Sequence, residues 1–296
     1  MTETALPAPV ATGARAVNPR GATLRAVYII WYRDLLRYYR DRWRLLASLA
    51  QPILFLLVFG TGLSSSLRGA TAGFGGGHAT GGLQYQQFIY PGIIGMAVLF
   101  TSIFGAMSIV WDREFGFLKE VLVAPINRSA VAVGKTLGGA TQAMLQGLIL
   151  LVLAPLVGVT LTWQGVLELI PLIFVYAFAL SALGVAIGAR MRSMQGFQVV
   201  MNFLMMPIFF LAGALFPLQG LPVWMTVLTR LDPASYGIDP LRRTVLGAAG
   251  VPNHVLDGLG LTLFGRTLAI WTEEALLLGF GLVMLSFAIR SFQHRD

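Results

Sequence analysis

The sequence predicts an all-α integral membrane protein: six transmembrane helices with N- and C-termini cytoplasmic, an N-terminal interfacial amphipathic helix and an extracellular re-entrant helical segment between helices five and six. Three observations lead there. The 296 residues are 56% hydrophobic and only 11% charged, with mean hydropathy +0.74, a composition suited to lipid rather than water. The apolar residues fall in uncharged runs close to the ~20 residues that a helix needs to cross a hydrocarbon core. With the N-terminus placed inside, sixteen of the 21 Lys and Arg fall in inside segments, as the positive-inside rule requires.

Residues 1–21 are small, Pro- and Ala-rich and predict a flexible tail. No short apolar core stands near residue 15, so the first span is expected to be an uncleaved anchor. In 22–44, Arg33, Arg37, Arg40 and Arg44 recur at helical spacing beside Tyr28, Trp31, Leu35 and Tyr38. That pattern predicts a helix lying flat among headgroups, either as a plain anchor or as a lever that also touches a cytoplasmic partner. Residues 45–290 form the transmembrane domain, with spans at about 45–67, 88–111, 136–164, 169–189, 193–216 and 271–290. The Gly-rich loop 69–82 carries no recognisable chemistry. Residues 217–270 contain apolar runs too short to cross, broken by Pro222, Pro233 and Pro240, and predict re-entrant or interfacial helices on the far face. Residues 291–296 are a cytoplasmic tail.

The net charge of +8 is then a topology signal, and no nucleic-acid partner is expected. The absence of cysteine excludes disulfides, thiolate metal sites and cysteine nucleophiles. Asp, Glu and His fall at span ends or in loops, which speaks against a proton relay at depth. No Ser/His/Asp set or carboxylate pair converges, so neither a catalytic site nor a metal site is expected.

Between spans two and three stands WDREFGFLKEVLVAPINR, residues 111–128. Phe115, Leu118, Val121 and Leu122 follow helical spacing with charges off that line, and Pro125 stops the run. Two aromatics rimmed by charge suit a protein docking site, although a helix resting on the membrane fits the residues equally. The stretch resembles the loop E-R-E-x-G-T-x-E-x-L-x-x-[ST]-P-[IV] of ABC-2 exporter permeases. A second stretch, FLAGALFPLQGLPVWMTVLTRLDPASYGIDPLRR at 210–243, is similar to that family's C-terminal signature. Within that family the chain most resembles the daunorubicin-resistance-type permeases and their lipid- and polysaccharide-exporting relatives. Asp112, Phe117, Lys119 and Asp232 depart from the usual Glu, Thr, Glu and Asn.

The resemblance implies a coupling helix at 112–124, with Asp112, Arg113, Glu114, Phe115, Gly116, Phe117, Leu118, Lys119 and Glu120 contacting a cytoplasmic ATP-binding cassette ATPase subunit. It also implies a second permease copy in a dimer. No cofactor is expected in this chain, and ATP and Mg belong to the partner ATPase. SAVAVGKT at 129–136 and GLTLFGRT at 260–267 only approximate a P-loop, and an ATPase domain would need roughly 150–200 further residues. Gln51, Phe55, Phe59, Phe100, Phe104, Asn202, Met205 and Phe209 are candidates for a substrate path, with helix packing as the alternative for each. Gln195, Gln198, Asn202, Met205 and Phe209 fall on one helix face, while Gln142 and Gln146 suit interhelical glue. Phe216, Pro217, Asp232, Pro233, Arg242 and Arg243 are candidates for an outer gate or for plain packing. The function implied is the permease subunit of an ATP-driven exporter in the cytoplasmic membrane, moving an amphipathic drug or lipid-like substrate outward among membrane lipids. A polysaccharide or glycolipid exporter permease, a nucleotide-independent channel or scaffold, and a lipid-modifying enzyme remain alternatives.

Overall fold

The computed structural model describes residues 19–58, 85–115, 127–159, 161–218, 220–263 and 266–293. Helix α1 (Pro19–Arg40) is followed directly by α2 (Arg42–Leu57). Helices α3 (Tyr85–Gly105) and α4 (Met107–Glu114) make one nearly continuous rod, interrupted by a turn at Ala106. Asp112, Arg113 and Glu114 therefore lie on the same helical rod as the second predicted span. The remainder of the expected coupling helix, 116–124, lies outside the described residues, as does Phe59.

Capping sets the later boundaries. Helix α5 (Arg128–Val152) starts on Asn127, whose side chain accepts from the Ser129 N–H, well before the predicted 136. It ends short of 164 because Pro155 opens a 3-10 turn, Ala154–Val157, and Gly158 closes it left-handed at φ 74°. Thr162 caps α6 (Trp163–Gly188) and Ser193 caps α7 (Met194–Leu211). Gly213, at φ 69°, turns the chain after α7, so Phe216 and Pro217 stand outside a helix predicted to reach 216. The stretch predicted to re-enter forms α8 (Val223–Leu231), α9 (Ser235–Ala248) and α10 (Asn253–Asp257). A two-residue antiparallel ladder, β1 (Thr262–Leu263) with β2 (Arg266–Thr267), precedes α11 (Ile270–Gln293).

Among the described residues, 4 helical segments are long and apolar enough to cross a membrane: Gln87–Glu114, Trp163–Gly188, Met194–Leu211 and Ile270–Gln293. The other two predicted spans differ for reasons visible in their residues. The apolar part of α2 is short, Leu45–Leu57. Helix α5 has 25 residues, about 38 Å at 1.5 Å per residue, yet carries Lys135, Gln142 and Gln146 along its length. Those polar groups are tolerated because α5 packs against α1, α3, α6 and α11, so its amides face other helices instead of lipid. Gly134 and Gly138 form the seat for α1: a Cβ at 134 would come within 2.9 Å of Ile30, and one at 138 within 3.3 Å of Asp34.

Candidate functional site

At one end of the α3–α4 rod a charge cluster joins three helices. Lys135 of α5 is buried, and its Nζ reaches Asp112 Oδ2 of α4 at 2.9 Å, Asp34 Oδ2 of α1 at 3.1 Å and Ser108 Oγ at 3.0 Å. Three acceptors match the three protons of an ammonium. Arg33 adds a contact to Asp112 Oδ2 at 3.2 Å, and Arg37 approaches Oδ1 at 4.0 Å. Asp112 is 2% exposed, its carboxylate taken up by Lys135 and Arg33. Its neighbours extend the same junction. Arg113 donates to the Met191 carbonyl at 2.5 Å, and Glu114 accepts from the Met194 N–H at 2.9 Å, in the first turn of α7, where a carboxylate is also favoured by the helix dipole. Phe115 is exposed and lies 4.6 Å from the exposed Trp111 ring, centroid to centroid. Gly116, Phe117, Leu118, Lys119 and Glu120 lie outside the described residues.

The candidate path residues gather in a second place. Phe209 of α7 meets Phe55 of α2 at 6.5 Å and Phe100 of α3 at 6.4 Å, both edge-on, and Phe104 lies 6.4 Å from Phe100. Beside them is a cleft of about 160 Å³ lined by Gln51, Pro52, Met96, Phe100, Phe104 and Gln146, among others. The amides of α5 act as glue here: Gln146 accepts from Thr101 Oγ1 and donates to the Ser48 carbonyl at 2.7 Å, and Gln142 donates to the Asp34 carbonyl at 3.1 Å. The stripe predicted along α7 divides. Met205 and Phe209 are buried, whereas Gln195, Gln198 and Asn202 are exposed, because α2 and α3 cover only the later part of that face.

At the other end of the rod, Arg242 of α9 is 0% exposed. It donates to the carbonyls of Gly213 and Ala214, and its guanidinium lies 4.3 Å from the Phe88 ring. Arg243 pairs with Asp239 at 3.0 Å and with Glu273 of α11 at 2.5 Å, and donates to the Leu268 carbonyl at 2.8 Å. Asp239 also accepts from the Leu261 N–H at 2.8 Å. Asp232 is buried and accepts from the Ala234 N–H at 3.0 Å; burial pushes its carboxyl up to about 7, against that hydrogen bond. Pro233 and Phe216 are half-buried and Pro217 is exposed. Arg242 and Arg243 thus tie α9 to the turn after α7 and to the starts of α3 and α11, while Asp232 holds the turn between α8 and α9.

Sequence reading missed the pairing of Asp34 with Lys135. In the sequence Lys135 falls just before the span expected from 136, and Asp34 sits beside Arg33 in the arginine stripe of 22–44. The available signal was the lysine itself, standing eight positions into what proved to be a capped helix.

Residues 25–246 match the family model described as ABC-2 type transporter. Nodulation protein J of Rhizobium leguminosarum bv. trifolii is 28% identical over 228 residues, 76% of this chain and 80% of that protein. The putative transport permease ycf38 of Cyanophora paradoxa is 24% identical over 221 residues, 74% of this chain and 73% of its own length. The inner membrane transport permease YadH of Escherichia coli (strain K12) is 25% identical over 232 residues, covering 77% and 85%.

Proposed function

Because the chain belongs to the ABC-2 type transporter family, we propose that it is the transmembrane permease subunit of an ATP-driven exporter, moving an amphipathic drug or lipid-like substrate outward. It is a multi-pass protein of the cell membrane, like its inner-membrane relative. The family works with an ATP-binding cassette subunit, which in this reading supplies the ATP and Mg site. The reading counts α2 with the residues after it, and α5, as spans, giving six crossings with both termini in the cytoplasm and α8–α10 re-entrant at the outer face. The Asp112 end is then cytoplasmic and the Arg242 end is outer.

The observation that carries the proposal is the junction at the end of α4. A push delivered just after Phe115 is passed by Asp112 to α1 and α5, by Arg113 to the α6–α7 connection, and by Glu114 to α7. ATPase closure against the 112–124 connection therefore moves the walls of the aromatic cleft together. Phe55, Phe100, Phe104 and Phe209 offer an amphipath an adaptable apolar surface with Gln51 at its edge. The exposed amide face of α7 is expensive against lipid, and a second copy of the chain is its natural cover.

The test is Phe115→Ala with Phe117→Ala, chosen because Glu114 is engaged inside the chain. Loss of ATPase co-purification and of transport, with the permease still folded in the membrane, is expected; undiminished co-purification overturns the contact. Vectorial transport by the reconstituted permease alone would overturn ATP coupling. Mass spectrometry of material bound to the purified complex separates a drug or lipid cargo from a polysaccharide or glycolipid.

A further inference from the structure

A groove between the final turns of α6 and α11 takes no part in the transport reading. Gly281 brings α11 against α6, where an added Cβ would come within 2.9 Å of Ala179 Cα. One turn further on, the space between the helices is a groove of about 220 Å³ lined by Leu183, Ala186, Met191, Met284 and Phe287. Arg190 stands at its rim with its guanidinium 4.0 Å from the Phe287 ring centroid and its Nε donating to Ser291 Oγ at 3.4 Å. Other arginines collect at the same level. Arg128 donates to the carbonyls of Phe292 and Gln293 at 3.4 and 3.3 Å, and Arg192 and Arg290 are exposed.

We propose that the groove holds an acyl chain of an anionic phospholipid of the inner leaflet, with the lipid phosphate on Arg190. The lining is almost wholly apolar, and from Leu183 to Arg190 it runs roughly 10 Å along α6, a useful length of acyl chain ending at a cation. Leu282, Val283 and Phe287 of α11 are exposed, so the groove opens toward lipid. An anionic leaflet surface complements the arginines. A second copy of the chain does not: a symmetric contact through this groove would set the arginines of both copies at one depth, facing each other. The choice of leaflet rests on the orientation proposed above, while the groove itself does not.

The test reconstitutes the full chain in nanodiscs of equimolar phosphatidylglycerol and phosphatidylcholine and counts retained lipids by native mass spectrometry. Symmetric bilayers make the result independent of orientation, so its failure is distinct from failure of the topology. Wild type is expected to prefer phosphatidylglycerol about fivefold. Arg190→Gln brings the ratio near parity, Arg190→Lys keeps it, and Met284→Trp, which fills the groove, lowers retention of both lipids. An unchanged ratio in Arg190→Gln, or unchanged retention in Met284→Trp, overturns the proposal. The chain has no cysteine, so disulfide formation between two Met284→Cys copies would reassign the groove to a chain–chain interface and overturn it as well.

Discussion

The two charge clusters stand at opposite ends of the α3–α4 rod and are built differently. At the Arg242 end the guanidinium is held by backbone carbonyls and a ring, and Arg243, Asp239 and Glu273 are all buried. At the Asp112 end the buried core of Lys135, Asp34 and Asp112 is flanked by Arg33 and Arg37, whose side chains are 32% and 49% exposed. Carbonyl acceptors have fixed positions, so the first cluster works as a rivet. Ion pairs reaching water can exchange partners, so the second can pass on movement without coming apart.

The largest expected effect breaks the second cluster. Lys135→Met removes the buried cation that Asp34 and Asp112 share, leaving them, among the described residues, only the half-exposed Arg33 and Arg37, and should cost about 3–5 kcal/mol, measured by thermal unfolding in detergent, and Lys135→Met with Asp34→Asn and Asp112→Asn should recover most of that loss. If the triple variant folds well yet fails to transport, the cluster's role is transmission; full transport would return it to simple packing. Arg242→Met leaves two carbonyls without their donor and should cost about 3 kcal/mol, with no rescue from neutralising a carboxylate. Rescue by such a change would erase the contrast with the other end. Next is pH. Burial raises the Asp232 carboxyl from 3.8 to about 7, so the folded state binds that proton more tightly than the unfolded chain. This contribution is fully present below the ordinary carboxylate range and is lost as pH rises through about 7. Asp232→Asn should flatten the stability profile between those limits, and an unaltered slope would show that the Arg242 end is wetter than its burial indicates. The smallest change in stability is expected for Asn202→Leu on the exposed α7 face, within about 0.5 kcal/mol. Its effect belongs to self-association and substrate-stimulated ATPase activity, and unchanged values in both would leave Asn202 without a role in either cluster's mechanics.

Much of the helical plan was legible because it depends on local chemistry. Uncharged runs marked α3, α6, α7 and α11 as crossings, and proline and glycine placed the breaks around 217–270. Boundaries slipped where a cap decides them: Asn127 and Thr162 start helices earlier than hydropathy does, and Gly213 stops one sooner. Phe55, Phe100, Phe104 and Phe209 were legible singly as candidates; that they meet is decided by how α2, α3 and α7 pack. The division of the α7 stripe was not legible, because a face's period is local while its cover is supplied by other helices.

By itself, then, the sequence determined that the chain is predominantly helical and which runs are apolar enough for lipid, because hydropathy, capping and composition act within a few residues of the chain. Tertiary structure alone decided that Asp112 turns inward to Lys135 and Asp34, and that Arg242 is held by carbonyls. The reason is distance: Lys135 and Asp34 are 101 positions apart, and a charge chooses its partner by proximity in space, which no local pattern records.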